Sequence, residues 1–544
     1  MAFNDTSSIQ DWRQLVEIEL TGKTVRYARD AVTFDDGTAY EARLLSMSAM
    51  TLSAGQILDP RVTMPSLTLT LDNSDSAISD LLDDYEFANR RTTVKIGQGT
   101  ASADYTTVFV GTVLFPSGIE FDDTTVTIDL DDERMKDERV LPVSKFFVST
   151  YANVEEKSKN LPIPFVYGDW RTSAAGGETV PCFCINTSTK TFKIADHAIK
   201  QIEAVYKNGV AATVTSTDLA NAEFTISDSY DQLTDVVTAN IQGATDDATS
   251  GGNLLESLPN IVDDILTTHL SVSTSNIDAA AFTAWTANVG TVKARRHISA
   301  EVSSNSLITD ALIEGFADLI IDDGKYTPKF RIAGLTNLDQ YRDFDLMARQ
   351  DGVKQFKVSK DPQRITVNQI VAVYNYDPVN LKYKSRFDQE DSGAIASVNT
   401  RRRRRMQYKF LYQDADAQVR AQRELFAFSE ELEMATVGIG PRALTKKPTD
   451  QFRLVYNKYT DTDTGFGVPF QVRDIQIDFN QMRAIIRAWN ILTLSSGRWT
   501  EDTAPTWLSS DLVQRTEHGF WTNSNGYADP SASPDETSKR SRWF

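Results

Sequence analysis

ILDP at Ile57–Pro60, LTLTLDN at Leu67–Asn73, VKIGQG at Val94–Gly99, FVGTV at Phe109–Val113 and LPIPFVYGDW at Leu161–Trp170 follow one another in this chain. An acidic run around Asp129–Asp132 precedes the last of them. Within the stretch, Leu67, Leu69 and Leu71 alternate with Thr68 and Thr70, and Val126, Ile128 and Leu130 alternate in the same way. A period of two places each apolar set on one face of a strand. Working outward, Asp36-Gly37 lies between VTF and TAY and suits a tight hairpin turn. Ile78, Leu81, Leu82 and Tyr85 fall at helical spacing and predict one helix near Ser76–Phe87. Strands with a single short helix predict a small β-barrel or sandwich over residues 1–150.

Beyond that unit, Pro162 and Pro164 enforce extended backbone and SAAGG at Ser173–Gly177 loosens it, so residues 151–252 read as a connector followed by a β-rich inserted domain. A hairpin is expected at Asn208-Gly209 and a loop at Gly243–Gly252. Residues 253–364 read as an α+β domain. One helix begins with Pro259 in its first turn. A second is predicted at Ser306–Ile321, capped by Ser306, before Asp322-Asp323-Gly324 turns the chain into a strand. Strands return over residues 365–496, at Ile370–Tyr376 and Tyr408–Tyr412. A helix follows, capped by Asp414 or Asp416 and carrying Ala421, Leu425, Phe428 and Leu432, and then a strand pair around Asn480. That pair, Phe470–Ile491, echoes Phe109–Leu130, which predicts a strand-rich unit with one helix in each half. From Gly497 to Phe544 polar residues dominate, yet four of the eight tryptophans lie there: Trp499, Trp507, Trp521 and Trp543. Spaced aromatics in polar filler predict an extended arm that anchors on a surface, through Trp507, Trp521, Trp543 and Phe544.

With 544 residues the chain exceeds a single core and divides into several domains. MAFNDTSSIQDW lacks the pattern of a secretory signal, and no apolar run approaches the roughly 20 residues that span a bilayer, so synthesis in the cytosol is the expectation. The net charge of −19 argues against a surface built to hold nucleic acid. It suits a duct that DNA must pass without sticking, or plain solubility. Cys182 and Cys184 form a lone C-x-C pair, too few thiolates for a four-cysteine cluster, and read as buried thiols.

The histidines, His197, His269, His297 and His518, lie outside metal-ligand spacing of one another, and no nucleophile elbow, P-loop or dinucleotide fingerprint occurs. Gly438–Gly440 and Gly465–Gly467 read as loops, the acidic doublets as solvated faces, and Asp461–Gly465 as a turn rather than a calcium loop. The expectation is no enzyme, no cofactor, no catalytic residue and no metal. Arg401–Arg405 is the sharpest anomaly: five consecutive arginines in an acidic chain. They can meet acidic groups of the same chain or a neighbouring subunit, stay solvated at an edge, or bind phosphate or lipid headgroups. The many carboxylates of the chain favour the first.

The order and spacing of the motifs between Ile57 and Trp170 resemble the N-terminal part of the tail-hub proteins of tailed phages. The helix-then-strand region at Ser306–Arg331, the arginine-rich region, the helix at Asp414–Met434 and the closing strand pair follow the same general order, so the resemblance covers roughly residues 1–495. It implies a mainly β, multi-domain chain with two tail-tube-like barrels, each with a helix, an intervening α+β region and the C-terminal arm. The barrels would fall at 1–150 and 365–496, with Leu67–Leu71, Phe109–Leu130, Ile370–Tyr376 and Phe470–Ile491 as matching strands. It implies a virion protein that forms a homotrimer. Its partners would be a tail tube or distal tail protein above, tip, spike or fibre proteins below, and the tape-measure protein, with DNA only in transit. A hexameric distal tail ring protein, and a glycan-binding adhesin or depolymerase of the tail tip, are the alternatives.

Overall fold

The computed structural model describes residues 12–54, 65–115, 118–133, 138–173, 177–331, 338–347, 355–360, 366–429, 432–456 and 468–490, and three further strands, Arg498–Trp499, His518–Thr522 and Arg540–Arg542. ILDP, Asp461–Gly465, Gly465–Gly467, Trp507, Trp543 and Phe544 lie outside the described residues. The chain is mainly β, in several sheets, and divides among several hydrophobic cores.

The first sheet is built from β1 (Arg13–Leu20), β2 (Lys23–Ala28), β3 (Val32–Thr33), β4 (Ala39–Ala42) and β5 (Leu44–Met47). It continues, after β6 (Met50–Ser53), with β7 (Ser66–Asp72), β8 (Arg91–Gly97), β9 (Tyr105–Val113), β10 (Ile119–Phe121) and β11 (Thr125–Asp132). Its order is β3-β4-β2-β1-β8-β9-β11-β7-β5, with β10 on β11. The alternation in β7 and β11 works as expected. Leu69 pairs with Ile128 and Leu71 with Val126, all of them buried, while the threonines between face outward. Helix α1 (Ala77–Asp84) lies between β7 and β8, shorter than expected because Tyr85 is extended.

A second sheet comes from β12 (Asp339–Arg342), β13 (Phe356–Lys360), β14 (Glu433–Ile439), β15 (Gln451–Val455), β16 (Val468–Asp478) and β17 (Arg483–Asn490). Its order is β12-β15-β16-β17-β14-β13, and β6 leaves the first sheet to pair with β16. Take the six strands β1, β5, β7, β8, β9 and β11 as first to sixth in chain order. Across the sheet they then read second-third-sixth-fifth-fourth-first, and β12 to β17 read the same way. Neighbours are antiparallel in both, except that β12 runs parallel to β15 where β1 is antiparallel to β8. The echoing pairs β9/β11 and β16/β17 occupy the same two places. One core fills the space between the sheets, from Val16, Leu69 and Ile128 on one side to Val437, Phe452 and Ile475 on the other.

The barrel expectation needs correction: among the described residues neither sheet closes, and each ends on an unpaired edge. The strand Gln369–Asp377, expected among the matching strands, stands instead in a three-stranded sheet inserted between β13 and β14. Its inner face, Ile370, Ala372 and Tyr374, packs on the helix Asp414–Phe428 and belongs to a different core. That core also holds the helices Leu258–Asp264, Ala279–Val289 and Ser304–Glu314. The place equivalent to α1, between β14 and β15, holds only a short turn at Pro441–Ala443.

The predicted helix Ser306–Ile321 is the helix Ser304–Glu314, capped by Ser303, whose side chain accepts from the Ser306 N–H. Phe316 then adopts φ 52, which a continuing helix cannot, and Leu319 and Ile320 pass into the strand Ala317–Asp322. That strand forms a hairpin with Lys325–Phe330 around Asp323 (φ 51) and Gly324 (φ 75), the positive values a type I′ turn requires. The Asn208-Gly209 hairpin has the same form. A third core, around Phe192, Phe224 and Ile241, contains both cysteines as buried free thiols, and burial pushes the Cys184 thiol up to about 12. Within the segment read as an arm, Arg498–Trp499, His518–Thr522 (which carries Trp521) and Arg540–Arg542 pair with one another in a small sheet.

A candidate assembly face on the arginine strand

Arg403–Gln407 is itself a strand, the edge setting left open for the run, whereas Tyr408–Tyr412, expected as a strand, lies beyond its end. The chain reaches it by a crossover: Lys382–Glu390 pairs antiparallel with the central strand Gln369–Asp377, the helix Ser392–Val398 carries the chain across, and Arg403–Gln407 pairs parallel with the central strand. Asp391 caps the crossover helix on the Ala394 N–H at 2.9 Å. Asn368 fixes the entry to the arginine strand, accepting from the Arg402 N–H at 2.6 Å and donating to the Thr400 carbonyl at 2.8 Å.

Alternation then divides the five arginines between two faces. Met406 and Tyr408 point into the core, and Arg404 shares their side, with its Nε 3.3 Å from the buried Glu424. Glu424 is also held by Arg420 one helical turn earlier, at 2.9 Å. Arg401, Arg403 and Arg405 are exposed on the opposite face. The register places Arg403, Gln369 and Glu390 in one cross-strand row and Arg405, Val371 and Asp388 in the next. Arg401 pairs with Glu390 at 2.9 Å and Arg386 with Asp388 at 3.0 Å. On this face four arginines, 386, 401, 403 and 405, thus stand over two carboxylates. Arg405 has no carboxylate partner among the described residues, and Arg403 reaches only the field of Asp388, whose carboxyl is held low first by its hydrogen bond to Arg386.

The closing motif LPIPFVYGDW, which carries no chemistry in the sequence reading, proves to be a joint between cores. Phe165–Tyr167 pairs with Arg296–Ile298. Gly168 sits at φ +82, and a Cβ there would fall 2.3 Å from the Ala294 carbonyl oxygen, so only glycine allows the approach. The Arg295 guanidinium lies between the rings of Trp170 and Tyr412, 4.4 and 4.2 Å from their centroids, and donates to Asn375 Oδ1 at 2.8 Å. The Tyr167 hydroxyl donates to Asp264 at 2.7 Å and lies 3.1 Å from His269 Nε2, while His269 stacks on Phe165 at 4.0 Å. Sequence reasoning missed these contacts, because their members come from segments 80 or more residues apart.

Burial holds His197 and His269 below their ordinary range and pushes His297 down to about 3. A group whose folded pKa is depressed stabilises the fold fully above its unfolded value, and that stability is lost as pH falls below about 6.5, by up to ~1.4 kcal/mol per pH unit for each histidine. Glu314, lifted by burial to about 7, acts with the opposite sign between there and its unfolded value. Asp263 and Asp416, also raised by burial, act with the sign of Glu314, and the three histidines outweigh these carboxyls where each histidine stays neutral down to pH 5. The urea midpoint is therefore expected to be lower at pH 5 than at pH 7.5; an equal or higher midpoint would contradict the buried neutral histidines.

No protein-family model and no curated protein matches the sequence. Solved structures similar in backbone include the 43 kDa tail protein of prophage MuSo2 from Shewanella oneidensis, 10% identical, covering 87% of this chain and 98% of that one at a TM-score of 0.37. The prophage tail protein gp18 from Listeria monocytogenes EGD-e is 8% identical, with coverages of 88% and 94% and a TM-score of 0.35. A chain of the native gene transfer agent virion is 10% identical, with coverages of 65% and 90% and a TM-score of 0.39.

Proposed function

We propose that this chain is a structural protein of a phage tail. Within the tail, we read it as the trimeric hub that adapts a sixfold tube to a threefold tip and helps to gate the passage of DNA. The repeated strand order of the two sheets carries the reading. A ring of identical neighbours closes only if the same patches recur around the axis. Two similar sheets per chain, taken three times, present six similar edges to a tube, while the inserted segments differ and keep the other face threefold. A distal ring protein, which needs one such sheet in each of six chains, has no use for the repeat. The order of motifs from Leu67 to Trp170 and the charge of −19, which suits a duct for DNA, support the same reading.

On this reading the tail tube or distal tail protein lies above, and tip, spike or fibre proteins lie below. Arg401–Arg405 and the C-terminal tryptophans contribute to contacts between subunits. Light scattering of the purified chain is the test. A mass of three chains is expected; six would favour the distal ring, and a monomer that hydrolyses capsule or peptidoglycan would overturn both.

A further inference from the structure

Two surfaces of this chain are electrostatically frustrated in opposite senses. On the outer face of the three-stranded sheet, Arg403 and Arg405 stand two residues apart on one strand, about 6.7 Å along it. Arg401 and Arg386 flank them. On helix α1, Asp80, Asp83 and Asp84 are all exposed, and none has an ion-pair partner among the described residues. Asp80 and Asp84 are one turn apart, roughly 6 Å, where like charges repel. Asp83 and Asp84 lie in the last turn of α1, which has no basic residue, so they face the negative end of the helix dipole. Each arrangement costs stability in an isolated chain, and a surface of opposite charge at similar spacing relieves both.

We propose that the arginine face of one copy receives the acidic end of α1 from the next copy. The inference rests on the homo-oligomeric reading above and names its contact. The two patches lie on different parts of the chain, α1 in the first sheet's unit and the arginines in the inserted sheet, so the contact is heterologous and propagates around a ring. Pairing guanidinium forks with carboxylates forms charge-assisted hydrogen bonds and removes like-charge repulsion on both sides. Val371 stands buried between Arg405 and Asp388 in their cross-strand row.

The test is charge reversal on the full chain, with mass read by light scattering across a concentration series at low and high salt. Arg403→Glu with Arg405→Glu, and separately Asp80→Arg, Asp83→Arg and Asp84→Arg together, are each expected to weaken association roughly a hundredfold, since like charges then meet. Combining the two sets is expected to restore the ring. Urea unfolding of each variant at monomeric concentration, expected to be no easier than for wild type because the like-charge strain is relieved, separates loss of contact from loss of fold. A wild-type ring that survives both reversals overturns this contact and leaves the oligomer intact. Loss by either set without rescue in combination also overturns it, because each patch then meets something else. A ring unchanged by the arginine reversal, together with duplex DNA binding that the reversal abolishes, would assign the face to phosphate. A wild-type chain that is monomeric throughout removes the oligomeric reading itself.

Discussion

Asp318→Ala is expected to destabilise the chain by about 3–5 kcal/mol, the cost typical of removing one partner from a buried ion pair. Asp318 is fully buried in the strand Ala317–Asp322. Its Oδ1 accepts from Arg331 Nη2 at 3.0 Å and from Nε at 3.2 Å, and its Oδ2 accepts from Arg473 Nη1 at 3.3 Å. Arg473 sits at a β-bulge in β16, which re-aims its side chain inward, and its Nη2 donates to the Ala54 carbonyl at 3.0 Å, just beyond β6. One carboxylate therefore ties the inserted helical core to the place where the two repeated sheets join. Without it, two guanidiniums remain in a site of low dielectric with the charge between them gone. Asp318→Asn, which keeps the shape and one acceptor oxygen, is expected to fall between alanine and wild type. Urea unfolding followed by tryptophan fluorescence measures this, and a midpoint unchanged for Asp318→Ala would show that the carboxylate holds nothing.

Features that depend on near neighbours were legible in the sequence. The alternations at Leu67–Leu71 and Val126–Leu130, the hairpins at Asn208-Gly209 and Asp323-Gly324, and the helix beginning at Asp414 each follow from a few adjacent residues. The repeat was legible only in the pair Phe109–Leu130 and Phe470–Ile491. Between its second and third strands the second sheet is interrupted by residues 366–429, which carry strong strand and helix patterns of their own. Those patterns drew Ile370–Tyr376 into the repeat, although its apolar face serves another core. The helix Ala279–Val289 escaped notice because its residues, AAAFTAWTANV, concentrate little apolar character on one side. The arginine run could not be divided between faces from the sequence for a related reason: alternation is invisible when five neighbours share one side chain, and only the buried Met406 and Tyr408 show which arginines turn inward. Contacts such as Asp318 with Arg473, 155 residues apart, follow from no local pattern.

Glu314→Ala is expected to cost about 3–5 kcal/mol through three backbone donors left without a partner, at ~1–3 kcal/mol for each group before water relieves part of it. Glu314 ends the helix Ser304–Glu314, where a negative charge opposes the helix dipole, so the helix alone does not account for it. Its carboxylate accepts from the N–H groups of Lys409 at 2.6 Å, Phe410 at 3.0 and 3.2 Å, and Leu411 at 2.8 Å. These residues follow the arginine strand, and their N–H groups turn to this carboxylate while the Leu411 carbonyl accepts from the Asn375 N–H at 3.1 Å. The same segment carries the Phe410 carbonyl, which accepts from the Arg295 N–H at 2.9 Å, and Tyr412, which stacks on the Arg295 guanidinium. Loss of the carboxylate should therefore loosen the arginine strand and the Trp170–Arg295–Tyr412 joint together. Glu314→Gln retains one acceptor oxygen but turns an NH2 group toward other donors, and is expected to lose most of the same stability. Hydrogen exchange gives the local readout: protection at the amides of Lys409, Phe410 and Leu411 should fall in both variants well before the strands of the two large sheets open. Protection at those three amides equal to wild type would mean that the carboxylate is not what holds them.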